Sequence, residues 1–194
     1  MPRSQRRTEK IRRVLTARQP DLTVVMENIH DPHNVSAILR SCDAVGILRV
    51  ELLYTIERFP KIGKKSSSSA SKWIDRRTHT SVTACCEQLH AEGFGILATR
   101  VDAGAVSLYD LDLTAPVALV FGNEHRGVSA DVAAHADAVV RIPMVGMIES
   151  LNVSVAAAVC LYEAYRQRML KGRYEGSSLG VAEVEKLFQE WTAR

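Results

Sequence analysis

Three short segments of the chain, residues 34–40, 121–127 and 142–154, concentrate asparagine, serine, glycine and charged side chains. Asparagine amides and serine hydroxyls orient a bound ligand through hydrogen bonds. Charged groups such as those of Arg40 and Glu124 stabilise charges that the ligand carries. These segments are therefore the first candidates for a functional site.

The segment 121–127 carries two glycines, Gly122 and Gly127, at the spacing of a phosphate-binding loop. The lysine that such a loop requires is replaced by Val128, and the carboxylate of Glu124 would repel phosphates. The chain also lacks the GxGxxG pattern of dinucleotide-binding folds. A carboxylate among glycines instead favours a ligand with hydroxyls, amines or a cationic centre, which the backbone can approach closely.

The segment 142–154 combines a strand end, a turn with Pro143 and Gly146, and the start of a helix. Capping of the helix explains one polar residue, yet Ser150, Asn152 and Ser154 are all present. We therefore expect this segment to face a ligand.

Other chemistries fit the chain poorly. Residues 30–33, His-Asp-Pro-His, have no second group of ligands at a recognisable spacing, so we expect no metal site. No nucleophile-elbow signature indicates a serine hydrolase. The four cysteines show no CxxC spacing, which predicts reduced, buried thiols.

The charge distribution indicates a polyanionic partner. The net charge of +3 combines two basic zones, residues 1–18 and 57–77, with an acidic remainder. Each zone holds seven Lys or Arg, for net charges of +6 and +5. Such zones suit nucleic acid, because neutralising phosphates releases counterions. The alternative for residues 1–10 is a solvated basic tail.

Short apolar runs alternate with helix-like segments, a pattern typical of an α/β fold with a parallel sheet covered by helices on both faces. The predicted strands are 22–26, 50–53, 94–98, 117–121 and 138–142. The predicted helices are 35–45, 82–91, 130–136 and 152–171, with further helices at 5–17 and 181–192. The low apolar content of residues 57–72 predicts a loop. Ligands of such sheets bind at the carboxyl ends of the strands, where all three polar segments are expected.

Several helix ends carry local signals. Asn34, Ser129 and Asn152, or Ser150 in place of Asn152, are predicted N-caps, and Gly46 is a predicted C-terminal stop. The long helix after residue 152 would therefore begin within the third polar segment.

No apolar run approaches the roughly 20 residues that cross a bilayer. The basic N-terminus is also not followed by the apolar core of a signal peptide. We therefore expect a cytoplasmic protein with no membrane partner.

Taken in order, the three segments resemble the three motifs of the SPOUT superfamily of RNA methyltransferases, and of its TrmH group in particular. The motifs read NVSAILR from Asn34, FGNEHRG from Phe121 and IPMVGMIESLNVS from Ile142. Shorter matches are QPDLTV from Gln19 and SKW from Ser71. The resemblance covers nearly the whole chain.

The resemblance implies a SPOUT fold, in which the parallel sheet has a deep trefoil knot in its C-terminal part. That domain would span residues 19–171, with helical extensions at 1–18 and 172–194. An obligate homodimer, an active site at its interface and S-adenosyl-L-methionine as the cofactor are also implied. The residues implied to bind the cofactor are Thr99, Gly122, Ile142, Met147, Ser150 and Leu151. Those implied to form the reaction centre are Asn34, Arg40, Glu124 and Asn152.

The activity implied by the resemblance is methylation of the ribose 2′-hydroxyl of guanosine-18 in the D-loop of tRNA. Families of this kind are thought to use the arginine of the first motif, here Arg40, as a general base assisted by an RNA phosphate. Because arginine normally stays protonated, we expect Arg40 to hold the phosphate and to stabilise negative charge on the 2′-oxygen. The final proton acceptor is left open.

RNA contacts are expected from the basic zones and from the end of the last long helix. The residues predicted to bind RNA are Arg12, Arg13, Lys64, Lys72, Arg166, Arg168 and Arg173. Two alternatives stay open, a ribosomal RNA 2′-O-methyltransferase of the same superfamily and a non-catalytic RNA-binding relative. The ribosomal relatives commonly carry a separate N-terminal RNA-binding domain, and we expect none here.

Three features depart from the family pattern. Glu149 stands where the family usually has Gln, and adds a negative charge beside the expected pocket. The serine tract 66–69 and Ala70 replace a loop richer in glycine. Ser71 stands where a His is common before Lys-Trp. None of these departures removes a residue of the reaction centre.

Overall fold

A computed structural model describes residues 3–62, 70–102 and 104–194 of the chain. Within these ranges, seven parallel strands form one sheet. The strands are β1 Leu22–Glu27, β2 Arg49–Leu53, β3 Asp75–His79, β4 Gly95–Thr99, β5 Val106–Ser107, β6 Val117–Phe121 and β7 Ala138–Arg141. The helices are α1 Arg3–Thr16, α2 Pro32–Ala44, α3 Val82–Ala91, α4 Ala130–His135, α5 Val153–Leu170 and α6 Val181–Ala193. The predicted α/β architecture is confirmed.

The strands lie in the order β3-β2-β1-β6-β4-β7-β5. Strand β6 is inserted between β1 and β4, and Val24 lies beside Leu119 in the register. Every residue of β1 and β6 is buried, as the uninterrupted apolar run of β6 predicts for a strand covered on both faces. This insertion brings the ends of β1, β6 and β4 together at one edge.

Strands β3 and β5 were not predicted from the sequence. Strand β3 reads DRRTH and lies at the edge of the sheet beside β2. Its place is held by ion pairs, since the buried carboxylate of Glu51 accepts hydrogen bonds from Arg77 Nε at 2.7 Å and Arg49 Nε at 3.0 Å. A search for apolar alternation misses such a strand because charges stabilise it.

Two hydrophobic clusters cover the two faces of the sheet. Helices α2 and α5 pack against one face, where Met26 points, and α3 and α4 pack against the other, where Val25 points. All four cysteines are free and buried within these clusters, as predicted. Burial raises the pKa of the Cys86 thiol to about 11, so this thiol stays protonated at neutral pH.

A third cluster joins the two terminal helices, α1 and α6. Leu15, Phe188 and Trp191 are buried there, and the Trp191 ring lies 5.0 Å from that of Trp73. The apolar stripe of the C-terminal helix is therefore a packing surface. Among the helices of the described ranges, none is long and apolar enough to span a membrane.

Candidate functional site

The chain leaves β1, β4, β6 and β7 at the same edge of the sheet, so the segments that follow these strands meet there. A cavity of about 550 Å³ opens at this edge. Its lining comes from three stretches, residues 99–102, 121–128 and 140–156. The second and third polar segments of the sequence therefore form one site.

The loop after β6 is a tight turn. A Cβ atom on Gly122 would overlap the backbone of Gly127. The two sides of the turn therefore approach so closely that position 122 requires glycine. Gly127 itself has φ +65°, in the left-handed region that favours glycine. The turn is closed by the hydrogen bond from Gly127 N to the carbonyl oxygen of Asn123 at 2.8 Å. This geometry holds Glu124 at the tip of the loop.

The carboxylate of Glu124 bridges the loop after β6 to the start of α2. Its oxygens accept hydrogen bonds from the backbone N–H groups of His30 and Asp31, both at 3.0 Å, and from Asn34 Nδ2 at 2.9 Å. Burial alone would raise the pKa of Glu124, but these three donors outweigh it and lower the pKa below its usual value. Glu124 is therefore held as a carboxylate and is a poor proton acceptor.

Asn34 links Glu124 to Asn152, which precedes α5. Asn152 Nδ2 donates to Asn34 Oδ1 at 3.1 Å. The Asn152 oxygen accepts from the backbone N–H and the hydroxyl of Ser154, at 2.9 and 2.6 Å. The three motifs thus meet in one polar chain, which we call the Asn-Glu-Asn cluster: Asn34, Glu124 and Asn152.

The prediction that Asn34 caps α2 is wrong. The helix begins three residues earlier, with Asp31 as its N-cap and Pro32 at its start. The carboxylate of Asp31 accepts from His33 N at 2.7 Å, and proline is well suited to the first helical position because it needs no hydrogen bond there. This shift leaves the Asn34 side chain free to bind Glu124. The predicted caps Ser129 and Asn152 are confirmed, as is the stop at Gly46, which has φ +88°.

Five of the six residues predicted to bind the cofactor line the cavity: Thr99, Gly122, Ile142, Ser150 and Leu151. The sixth, Met147, is fully exposed and does not line it. The placement predicted for Met147 is therefore wrong in the single chain. The cofactor role of the other five stays a prediction.

Arg40, the remaining residue of the predicted reaction centre, is separate from the Asn-Glu-Asn cluster. It lies on α2, is exposed to solvent and is not part of the cavity lining. Its guanidinium is accessible to a large anionic ligand approaching from outside.

The residues predicted to bind RNA occupy several different surroundings. Arg12, Arg13 and Lys72 are exposed. Arg12 also pairs with Glu185 at 3.3 Å and lies over the Phe188 ring, so part of its role is to join α1 to α6. Lys64 lies outside the described residues.

The C-terminal arginines are already engaged in the chain. The guanidinium of Arg166 is exposed but pairs with Glu163 at 2.8 Å. Arg173 forms an ion pair with Asp21. Both retain partial exposure, so a contact with RNA would compete with an existing partner.

The prediction that Arg168 binds RNA is wrong, because the side chain is completely buried. Its guanidinium donates to the carboxylate of Asp21 at 2.6 Å, to Gln19 at 3.1 Å and to three backbone carbonyls. All five donors of an arginine side chain are thereby used. Arg168 instead anchors the end of α5 to the start of β1.

Sequence reasoning missed several residues at this edge of the sheet. Arg100 and Arg126 line the cavity, and the buried side chains of Asn28 and Asn123 connect the loops around it. The position of Asn28 directly after a buried strand was a usable signal, since that is where ligand-facing residues of a parallel sheet lie. Within the described residues, no three His, Cys, Asp or Glu side chains are grouped so that they could hold a metal ion.

Comparison with known proteins identifies relatives of similar length. The chain is 43% identical over 189 residues to a tRNA (guanosine(18)-2′-O)-methyltransferase of Thermus thermophilus, which covers 97% of each protein. The crystal structure of an Aquifex aeolicus TrmH/SpoU tRNA modifying enzyme superposes with a TM-score of 0.92, at 38% identity, over 98% of this chain and 96% of that one.

A more distant solved structure contains a small molecule. The SpoU methyltransferase AviRb of Streptomyces viridochromogenes, in complex with the cofactor AdoMet, has a TM-score of 0.69 and 28% identity, over 80% of this chain and 64% of that one. The model of the SpoU rRNA Methylase family matches residues 21–162, a range that contains the Asn-Glu-Asn cluster and the whole cavity lining. The chain therefore belongs to the SpoU methylase family.

Proposed function

We propose that this protein is a tRNA (guanosine(18)-2′-O)-methyltransferase that transfers a methyl group from S-adenosyl-L-methionine to the ribose 2′-hydroxyl of the D-loop guanosine. The observation that carries the proposal is the Asn-Glu-Asn cluster, in which all three family motifs meet beside one cavity. The near full-length likeness to tRNA enzymes of that specificity supports the choice of substrate.

The cavity suits S-adenosylmethionine in size and chemistry. Its volume of about 550 Å³ falls within the range of small-molecule sites. Ile142 and Leu151, both half-buried, supply apolar surface for a purine, whereas Arg141 and Glu149 supply charges for a carboxylate and for a cationic centre. The bound cofactor would contribute an electrophilic methyl group on a sulfonium.

The side chains of the cluster orient the reacting ribose. Glu124 fixes Asn34 through a short hydrogen bond, and Asn34 in turn fixes the Asn152 amide. Because each partner is already placed, these amides need little reorganisation when the 2′-hydroxyl arrives. We assign Glu124 the role of holding Asn34 and not that of accepting the proton, since its pKa is lowered.

Arg40 acts on the RNA from the exposed face of α2. A guanidinium binds phosphate oxygens through two parallel N–H groups and remains protonated at neutral pH. We assign it the tasks of holding an RNA phosphate and of stabilising the negative charge that develops on the 2′-oxygen. The exposed cations Arg12, Arg13 and Lys72 would bind further phosphates of the RNA.

We also propose a homodimer and a deep trefoil knot in the C-terminal part of residues 19–171, with 1–18 and 172–194 as helical extensions. Large apolar side chains are exposed together on the loop before α5 and on α5 itself. They are Val145, Met147, Ile148, Val155, Tyr162, Met169 and Leu170. Such a surface is typical of a protein contact. A tRNA substrate is consistent with a cytoplasmic protein, which is the localisation that we propose.

Methyl incorporation from an isotopically labelled donor tests this function. Total tRNA and ribosomal RNA are incubated separately with the protein, and the labelled nucleotides are mapped by mass spectrometry. The proposal expects label in tRNA at guanosine 18. Label confined to ribosomal RNA would instead identify a ribosomal enzyme, and failure to bind the donor by calorimetry would indicate a non-catalytic relative.

A further inference from the structure

The segment that leaves β2, residues 55–62, is joined to the cavity lining by the ion pair of Glu57 with Arg126 and carries two exposed cations, Arg58 and Lys61. We call it the β2 exit segment. Its Phe59 packs edge-on against Tyr54, with ring centroids 5.3 Å apart, and the Tyr54 hydroxyl donates to the carbonyl oxygen of Ile29 at 2.9 Å. The segment is therefore fixed against the residues that follow β1.

Asn28 is the main connection between the two strand ends. Its side-chain oxygen accepts hydrogen bonds from three successive backbone N–H groups, those of Thr55 and Ile56 at 3.0 Å and Glu57 at 3.1 Å. Its amide nitrogen donates to the Thr55 hydroxyl at 3.1 Å. Only 3% of Asn28 is exposed, so these bonds are shielded from water.

The backbone of Asn28 adopts an uncommon conformation. Its φ of +50° is the single positive value found at a non-glycine position in the described ranges. Asparagine tolerates the left-handed region better than most residues. The conformation is maintained in the fold by the bonds on both sides of the residue.

Asn123 extends the connection to the loop that carries Glu124. Its amide nitrogen donates to the carbonyl oxygen of Asn28 at 2.8 Å, and its side-chain oxygen accepts from His125 N at 3.0 Å. Arg126, in the same loop, pairs with Glu57 at 2.9 Å. A closed ring of contacts thus joins the β2 exit segment, the end of β1 and the loop after β6.

We propose that Asn28, acting through Asn123, is a positioning residue that fixes the cations of the β2 exit segment relative to the Asn-Glu-Asn cluster. RNA held by Arg58 and Lys61 would then enter at a set distance from Glu124. The proposal rests on the proposed function. It assigns Asn28 a role in placing the RNA and none in binding the cofactor, because Asn28 does not line the cavity.

The substitution Asn28→Gly tests the proposal because glycine retains the left-handed backbone and removes every side-chain bond. We expect kcat/KM for tRNA to fall on the order of 10- to 100-fold, as for other small misplacements of a bound substrate. Affinity for S-adenosylmethionine, measured by calorimetry, should not change. Asn28→Asp keeps the oxygen that accepts the three N–H groups and should restore most of the loss.

A double-mutant cycle separates positioning from general stability. The effect of Asn28→Gly on tRNA affinity is measured alone and together with Arg58→Ala and Lys61→Ala. If Asn28 acts by placing these cations, its substitution costs little once they are gone, and the effects are non-additive. Additive effects, or an equal loss of S-adenosylmethionine affinity, would overturn the proposal.

A second variant and a second RNA substrate allow the test to be completed if Asn28→Gly does not fold or if the proposed function fails. If Asn28→Gly does not fold, Glu57→Gln is measured in the same cycle. It removes the charge that pairs with Arg126 at 2.9 Å and faces the His30 ring at 3.7 Å, and it leaves the Asn28 side chain in place. The proposal expects Glu57→Gln to lower tRNA affinity less than Asn28→Gly would, and expects this loss to disappear when Arg58 and Lys61 are replaced by alanine. A loss that adds to the effect of those two substitutions contradicts the proposal. If the wild-type protein methylates ribosomal RNA, the proposed function fails, and the same cycle on that RNA still decides the role of Asn28.

Discussion

Two regions beside the cavity differ in how completely the single chain builds them. We call the Asn-Glu-Asn cluster the inner wall, and the loop of residues 145–148, which does not line the cavity, the outer wall. On the inner wall, Asn34, Glu124 and Asn152 are joined by hydrogen bonds of 2.9 and 3.1 Å. On the outer wall, Val145 and Met147 are as exposed as they would be in an extended chain, at 106% and 100%. The polar groups of the inner wall are already fixed by hydrogen bonds, whereas the outer wall presents apolar side chains of the kind that a partner surface covers.

The comparison assigns the inner wall to the reaction and the outer wall to association with a partner. A reaction benefits from polar groups fixed in advance, because they do not reorganise as charge develops. Exposed apolar side chains gain stability only when a second surface covers them. We therefore expect substitutions on the inner wall to change the rate of methyl transfer, and those on the outer wall to change association.

Arg40 belongs to neither wall, and Arg40→Lys is expected to lower the rate of methyl transfer more than any other substitution considered. The ammonium group cannot reproduce the planar fork that holds a phosphate and the developing oxyanion, so methyl transfer should fall by roughly 10²- to 10³-fold. S-adenosylmethionine affinity, measured by calorimetry, should stay the same. Near-normal methylation by Arg40→Lys would show that the fork geometry is not needed.

Glu124→Gln probes the inner wall and should reduce methyl transfer by about 10²-fold. The new amide group would face one of the three donors that now bind the carboxylate, which loosens Asn34. Formation of the proposed dimer, measured by sedimentation, should not change. A loss of dimer without a loss of rate would contradict the division between the two walls.

The wild-type pH profile gives a second test of Glu124. A lowered pKa means that the carboxylate stays ionised at neutral pH and that its contribution to stability is lost only as the pH falls through that lowered pKa. Single-turnover rates should therefore show no Glu124 inflection above about pH 5. An inflection near pH 6 that disappears in Glu124→Gln would make Glu124 the proton acceptor.

Met147→Glu probes the outer wall. A carboxylate buried in an apolar contact is costly, so the proposed dimer should dissociate on the order of 10-fold or more readily. Val181→Glu is the matched control, because Val181 is 89% exposed but lies at the start of α6. Sedimentation that gives equal dissociation for both variants would exclude the loop before α5 from the interface.

The smallest effect is expected for Glu149→Gln. Glu149 is exposed and lines the cavity, so its charge is largely screened by water. We expect S-adenosylmethionine to bind about two- to fivefold more weakly, while the neutral product S-adenosylhomocysteine is unaffected. Equal changes for both molecules in calorimetry would show that Glu149 does not sense the sulfonium charge.

Much of this architecture was predictable from the sequence because it depends on local rules. The β6 strand is predicted to the residue by an uninterrupted apolar run, and the caps of α4 and α5 are predicted by Ser129 and Asn152. The grouping of the second and third motifs at one sheet edge follows from parallel topology. Such features are fixed by hydrophobic patterning and by helix-end chemistry.

The remaining features depend on partners distant in sequence. Arg168 lies two residues after Arg166, in a basic segment typical of RNA binding. Its side chain is nevertheless buried and pairs with Asp21, which is 147 residues away in the sequence. The edge strand β3 is likewise held by the contact of Arg77 with Glu51. Asn28 directly follows a buried strand, but the three N–H groups that it binds lie 27 to 29 residues further along the chain. Pairings of this kind carry no local signal.

The central claim is that the Asn-Glu-Asn cluster directs methylation to one ribose hydroxyl of tRNA. Two synthetic tRNAs that differ only in the sugar of guanosine 18, ribose in one and 2′-deoxyribose in the other, test it most directly. After incubation with the protein and S-adenosylmethionine, intact mass spectrometry should show a gain of one methyl group in the ribose tRNA and none in the deoxy tRNA. Equal methylation of both would contradict the account.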